Sequence, residues 1–484
     1  MAQSHKKNIL YNAVYRCVVI LTPLITSPYL SRVLGPEKLG VYAYSNSLAT
    51  YFVIFSLLGV NDYGNRKIAQ VKGSREDLSD NFWQIYYMQF ILTLLLSVLY
   101  FLIVFLHSKY YDVQLILGIY VVSSFFEVSW FAFGMEEFRL TSIRSIIIRI
   151  GIVVGIFLFV KDENDVWKYA LITAGGNFIS LLVVLPLVFK YTDFRKPDLQ
   201  KIICHIRPNI ILFLPVVATS VYNYLDKLML GVWSTEAEIG YYQNAENIVR
   251  LPMFITAAVV TVFEPYSTNL LATGNREKSN SLLNSTLRYT SILNVALAFG
   301  LAGIAKTFIP WFLGDGYVRS AELIMILAPM IFICSFSDVM RYQFLLPNEH
   351  DFFSLISIVI GAVVNVILNY FLIRISGATG AAVATIIAYV VTMVLQFIYI
   401  NRKTWIADTV VFIVPYVLFG GLMISSVFCV AGFFTRMNPF AVSLIEIFVG
   451  AAVYGILSGI WLKHKDPQLL SDALKLIKTR LFKF

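Results

Sequence analysis

The chain is short of charge. Asp, Glu, Lys and Arg make up 14% of its 484 residues, against about 25% in an ordinary soluble domain. With 58% hydrophobic and 15% aromatic residues, no soluble fold of this size could hide its apolar surface from water. The same composition excludes disorder, because disordered chains are poor in apolar residues. Cysteine is scarce: Cys17, Cys204, Cys334 and Cys429 lie far apart, in or beside apolar runs. That is neither a disulfide framework nor a zinc pattern. The five histidines sit at or near loops and tails, and there is no Walker loop, no H-E-x-x-H and no Ser/His/Asp array. The sequence therefore predicts a protein that is not an enzyme and holds no cofactor. No basic patch on a soluble surface calls for nucleic acid.

What is present is hydrophobic length. Apolar runs of about 20 residues or more are too long for barrel strands of about ten. The expected fold is an all-α polytopic membrane protein with about 14 transmembrane helices. They are placed near 9–33, 40–62, 83–107, 113–134, 141–161, 166–189, 209–233, 239–264, 286–313, 320–345, 353–374, 378–400, 410–433 and 439–462. The net charge of +9 reads as positive-inside bias. With both termini inside (N-in/C-in), inner segments carry roughly 23 Lys/Arg and outer ones roughly 8. The outer loops, about five to eight residues long, leave no room for an external catalytic domain.

The expected organisation is an N-lobe of six spans (1–189), a cytoplasmic linker (190–208), a C-lobe of six spans (209–400), two further spans (401–462) and a basic amphipathic tail (463–484). Within the linker, Lys196–Ile203 reads as a piece lying on the membrane surface, and the tail as a second one. A short echo links the lobes. Leu34-Gly35, an acidic turn and Leu39-Gly40-Val41-Tyr42 join the first two spans, and Leu230-Gly231 with Ile239-Gly240-Tyr241-Tyr242 joins spans seven and eight. Such spacing implies parallel repeats related by an axis along the membrane normal.

Charges in mid-span are costly and face a cavity or a partner. The basic ones that suit an anion-binding cavity are Arg16, Arg144, Arg149, Lys227, Arg250 and Arg341. The planar fork of arginine matches a pyrophosphate. Asp226, Glu246, Glu264 and Asp338 are candidates to carry a coupling ion or to pair with those bases. Glu246 and Arg250 are four apart, and Asp338 and Arg341 three apart, so each couple fits one helix face. Prolines at 23, 28, 215 and 252 predict interrupted helices in spans one, seven and eight, where freed backbone groups line a cavity.

Four stretches carry a family resemblance. Pro28–Gly40 resembles the first-loop signature of the polysaccharide repeat-unit flippases, the O-antigen, capsule and exopolysaccharide exporters of the multidrug/oligosaccharidyl-lipid/polysaccharide superfamily. Trp130–Arg139 with Ser142–Ser145 is similar to that family's fourth-to-fifth span junction. Asp226–Gly231 with Gly240-Tyr241-Tyr242 resembles its seventh-span element, and Gly361–Asn365, Leu368–Tyr370 and Gly377–Thr385 its eleventh-to-twelfth span hairpin. The resemblance implies two six-helix lobes around a cavity of alternating access in the bacterial cytoplasmic membrane. It implies a polyprenyl-pyrophosphate oligosaccharide as cargo, membrane lipids as surroundings, and a polymerase and other assembly proteins as partners. H⁺ or Na⁺ coupling is open. A lipid II flippase and a cation-coupled drug antiporter of the same superfamily are the rival expectations; the basic excess disfavours the antiporter.

Overall fold

The computed structural model describes residues 2–434 and 437–467, with side chains at 18, 19 and from 21 onward. Among the described residues the chain is helical throughout. In order the helices are α1 (Ala2–Leu57), α2 (Val60–Val71), α3 (Arg75–His107), α4 (Tyr111–Ser123), α5 (Ser129–Gly134), α6 (Phe138–Phe159), α7 (Val166–Leu182), α8 (Leu185–Tyr191), α9 (Leu199–Ser220), α10 (Asp226–Trp233), α11 (Glu236–Ala272), α12 (Arg276–Leu313), α13 (Val318–Leu327), α14 (Pro329–Met340), α15 (Asp351–Ser376), α16 (Ala378–Asn401), α17 (Ala407–Phe433) and α18 (Pro439–Lys465).

Among the described residues, eleven helices or continuous helical runs are long and apolar enough to cross a membrane, and twelve if the pair Asp315–Leu327 and Pro329–Leu345, bent by 41°, counts as one span. The difference from fourteen has two local causes. The first two expected spans run together as α1, whose one departure from helical dihedrals is Gly35 (φ 71°, ψ 172°). That φ favours glycine, and Pro36 then starts the second half with its φ already set for a helix. The expected span 113–134 is divided: α4 ends in a 3₁₀ turn at Ser124–Phe126, and α5 starts afresh at Ser129.

Side chains satisfy the backbone freed at that division, as an apolar surrounding demands. Gln89 Nε2 donates to Ser124 O (2.7 Å) and Glu127 O (2.9 Å), and Trp130 Nε1 donates to Glu127 O (3.0 Å). The Glu127 carboxylate accepts from Ser129 N at 2.9 Å, at the start of α5.

The expected interruptions at proline are not where the helices break. α1 stays helical through Pro23 and Pro28, α9 through Pro215, and α11 through Pro252. Further irregularities are Gly35 and two π-helical turns, Val221–Leu225 and Arg341–Leu345. The linker also differs from expectation. Residues 199–203 are the first turn of α9, begun by Asp198 accepting from Gln200 N (3.0 Å). Residues 192–198 form a strap tied to α3. Trp83 Nε1 donates to Asp193 O (2.9 Å), Tyr87 OH to Arg195 O (3.0 Å) and Gln84 Nε2 to Lys196 O (3.1 Å). The expected tail helix, from residue 468 on, lies outside the described residues.

The contacts divide the chain into two compact units: Met1–Asn244 with Ala362–Thr385, and Ala245–Gly361 with Ile386–Phe484. The boundaries fall inside α11, α15 and α16. In the first unit, α1 packs on α4 and α6, and α4 on α7. An aromatic core beside α3 stacks Phe82 on Trp130 (5.3 Å between centroids) and sets it edge-on to Phe131 (5.0 Å). In the second, α12 is the hub for α14, α17 and α18, around a core that includes Leu287, Val339, Met340, Leu345 and Tyr416.

The echoed motifs meet within the first unit. A Cβ on Gly40 would collide with the backbone carbonyl of Glu236, and a Cβ on Gly240 with that of Pro36. Two glycines chosen by pattern thus form one helix crossing, in which the missing side chains let the backbones touch.

Candidate functional site: buried polar nodes in each unit

In the first unit, α9 runs through the π-helical turn Val221–Leu225 into α10. π-Turns inside helices are frequent at functional sites, and this one delivers Asp226 and Lys227 to the interior, 1% and 4% exposed. Lys227 Nζ donates to Asn223 O in that turn (2.6 Å) and lies over the Tyr224 ring (5.6 Å).

Asp226 is the centre of a polar node fed by three further helices. Asn369 Nδ2 from α15 donates to its Oδ1 at 2.6 Å. Tyr242 OH from α11 and Thr385 Oγ1 from α16 each donate to its Oδ2 at 2.6 Å. Asn369 also donates to Asn365 Oδ1 (3.0 Å), and Asn365 Nδ2 approaches Thr385 Oγ1 (3.4 Å). All five side chains are buried, and Asn369 Oδ1 has no hydrogen-bond partner among the described residues. The oxygens of Asp226, Asn365, Asn369 and Thr385 form the set that a hard cation prefers.

Sequence reading found Asp226 by its charge. It gave Tyr242, Asn365, Asn369 and Thr385 no part in the site. Two asparagines four apart in an apolar span share a helix face, and that was the available signal.

Of the other expected residues in this unit, Arg144 on α6 donates from Nη1 to Ser180 O (3.0 Å) and from Nη2 to Ser129 Oγ (3.4 Å). Arg149, one and a half turns further, is half-buried on the same helix. The side chain of Arg16 lies outside the described residues.

The second unit gathers the remaining five. Arg250 Nη2 and Nε both donate to Glu246 Oε1, at 2.7 and 3.1 Å, the i,i+4 pair legible in the sequence. Arg341 opens the second π-turn, lies over the Tyr342 ring (5.2 Å) and leaves Nε without a partner among the described residues. Asp338 stands three residues before it on α14, and Glu264 lies on α11. A further buried acid, Glu446 on α18, accepts from Thr307 Oγ1 (2.9 Å), and its other oxygen has no partner among the described residues.

The chain is 25% identical over 411 residues to a protein named as an O-antigen transporter in Escherichia coli (strain K12), covering 82% of this chain and 98% of the relative. It is 22% identical over 311 residues to a protein named as a low-salt glycan biosynthesis flippase in Haloferax volcanii, covering 64% of each. Its fold is shared with the lipid II flippase MurJ in an inward closed conformation (TM-score 0.76, 16% identity, covering 94% of this chain and 98% of that one). It is also shared with an inward-facing multidrug resistance MATE family transporter of the MOP superfamily (TM-score 0.61, 13% identity, covering 83% and 95%). The chain is a multi-pass protein of the cytoplasmic membrane. The family model described as polysaccharide biosynthesis protein matches residues 5–271, more than half of the sequence, and the chain belongs to that polysaccharide-exporting family, the one its first-loop and hairpin motifs resemble.

Proposed function

We propose that the protein carries polyprenyl-pyrophosphate-linked oligosaccharide repeat units from the inner to the outer leaflet of a bacterial cytoplasmic membrane by alternating access, as a transporter rather than an enzyme. The observation that carries this reading is the match, over 98% of its length, to a protein named as an O-antigen transporter. The physical need is plain: sugars and pyrophosphate do not cross about 30 Å of hydrocarbon unaided. The topology is fourteen crossings with both termini inside. α1 supplies two, either side of Gly35, α4–α5 one and α13–α14 one, beside the other ten long helices.

In this reading the cationic side chains Arg16, Arg144, Arg149, Lys227, Arg250 and Arg341 receive the pyrophosphate as it passes. The polyprenyl tail stays in an apolar groove of about 410 Å³ in the second unit, lined by Leu297, Gly300, Met423, Val427, Gly450 and Tyr454. H⁺ or Na⁺ binds at the Asp226 node, whose oxygens come from four helices, so that loading it ties those helices together. Moving one charge across the membrane is worth about 2.3 kcal/mol per 100 mV. The oligosaccharide then passes to a polymerase and other assembly proteins.

Lipid II is the second reading, favoured by the fold shared with its flippase and by 26% identity to a protein named as a lipid II flippase in Bacillus subtilis over 49% of this chain. The test is reconstitution into liposomes with three labelled cargoes: the oligosaccharide lipid, lipid II and a cationic dye. Each is followed with and without an imposed H⁺ or Na⁺ gradient. Transfer of the oligosaccharide lipid alone, slowed in Arg144→Gln, is expected. Transfer of lipid II alone moves the protein to the second reading, and dye movement without lipid transfer overturns both.

A further inference from the structure

One cavity of the first unit belongs to none of the nodes above. It measures about 850 Å³, within the range of small-ligand sites. Four separate chain segments wall it: the start of α1's second half, the turn between α3 and α4, the 3₁₀ turn ahead of α7, and the first residue of α11. The positive φ of Gly35 bends α1 at this point and turns Glu37 and Lys38 into the wall. On the proposed topology this mouth faces outward.

Part of the wall is fixed. Glu236 accepts from Lys109 Nζ (2.5 Å) and from Tyr110 OH (2.6 Å), and its own backbone carbonyl is pressed against Gly40. The rest is open to a ligand. Glu37, Lys38 and Asp112 make no side-chain hydrogen bond or ion pair among the described residues. Asn164 donates from Nδ2 to Asp162 Oδ1 (3.1 Å) and offers its side-chain oxygen, and Trp167 holds its indole 44% exposed at the edge, with Lys168 Nζ 5.7 Å from the ring centre.

Charge decides what fits. Three carboxylates (Glu37, Asp112, Glu236) outweigh two ammonium groups (Lys38, Lys109), so a pyrophosphate would be repelled. A saccharide suits the same wall. Its C–H face packs on an indole, an amphipathic surface with little entropy to lose. Its neighbouring hydroxyls donate to carboxylates and accept from lysine and amide N–H groups.

We propose that this mouth is a saccharide-binding subsite that holds the sugar part of the cargo, separately from its pyrophosphate. The proposal rests on the flippase reading for the origin of the glycan. Trp167 is the stacking platform, Glu37, Asp112 and Asn164 take the hydroxyls, and the Lys109–Glu236–Tyr110 cluster is the rigid back wall.

The test uses the purified full chain and, as probe, the free oligosaccharide released by mild acid from the producing cell's own polyprenyl-pyrophosphate pool, labelled at its reducing end. Equilibrium dialysis is expected to give saturable binding with a Kd on the order of 1 mM, weak enough for release. Trp167→Ala and the pair Glu37→Gln with Asp112→Asn should each weaken it at least about tenfold, and Trp167→Phe should restore most of it. Inorganic pyrophosphate should not compete. No saturable binding, equal binding by wild type and Trp167→Ala, or competition by pyrophosphate would each overturn the subsite. Leaflet transfer measured on the same preparation separates the two claims. Transfer without glycan binding sinks the subsite and leaves the flippase standing; binding without transfer keeps the subsite and sinks the flippase reading.

Discussion

Asp226 accepts three buried hydrogen bonds, and its substitutions should separate fold from transport. Asp226→Ala leaves the donors of Tyr242, Thr385 and Asn369 without their acceptor. At about 1–3 kcal/mol for each stranded buried group, the expected outcome is a large loss of thermal stability in detergent. Asp226→Asn keeps the size and an acceptor oxygen, and the two hydroxyls can turn. It should fold with little loss, while leaflet transfer loses its response to an imposed Na⁺ or pH gradient; a retained response would remove the node from the coupling role. The carboxylate was legible in the sequence because charge in an apolar run stands out. Its partners were not, because Asn369 and Thr385 are 143 and 159 residues away, and hydrophobic periodicity carries no information about which spans meet. Glu246 and Arg250 were legible as a pair for the opposite reason: one turn of one helix sets their distance.

Helices raise a different question, which is how closely they approach and what holds their ends. At the α1–α11 crossing, Gly40→Ala or Gly240→Ala would drive a methyl group into a backbone carbonyl that cannot move as a side chain can. Overpacking of this kind costs about 1–3 kcal/mol. Both variants should lower the unfolding temperature, and the double variant by less than the sum, because one widened crossing relieves both clashes. The strap between α8 and α9 gives a pH prediction. The Arg75 guanidinium, 2.9 Å from Asp193, holds that carboxyl below its ordinary value of 3.8. A carboxylate depressed in the folded state stabilises above its unfolded value and loses that contribution as pH falls through the folded one. Amide exchange over 192–198, corrected for the intrinsic rate, should therefore accelerate below 3.8, and do so less in Arg75→Gln, where the bond is already gone. The sequence offered the lengths of the apolar runs but not these details. A run of apolar residues reads the same whether its helix bends at a glycine, passes through a proline or widens into a π-turn, since each is set by packing on a partner rather than by local composition.

The chain as a whole was legible in class and in family. Low charge and long apolar runs fix a helical membrane protein, and glycine-rich junction motifs point to the family, because both are local properties. The count of crossings was less so: composition marks α1 as two spans where the backbone continues past Gly35. Orientation is testable directly. Single cysteines at 110 and 195, in a background without the native four, should react with a membrane-impermeant maleimide in intact cells at 110 and only after lysis at 195, as the excess of Lys/Arg on one set of loops requires. Labelling in the reverse order would invert the topology.

The α1–α11 crossing also has a consequence for how the protein is made. Gly40 and Gly240 are about 200 residues apart, which at ~5–20 residues per second is about 10–40 s of synthesis. For that interval the notch at Gly40 is already in the membrane and its filler has not left the ribosome. Lipid or an insertion factor has to occupy the gap meanwhile, so nascent chains stopped short of α11 should be the ones most exposed to the cell's membrane proteases.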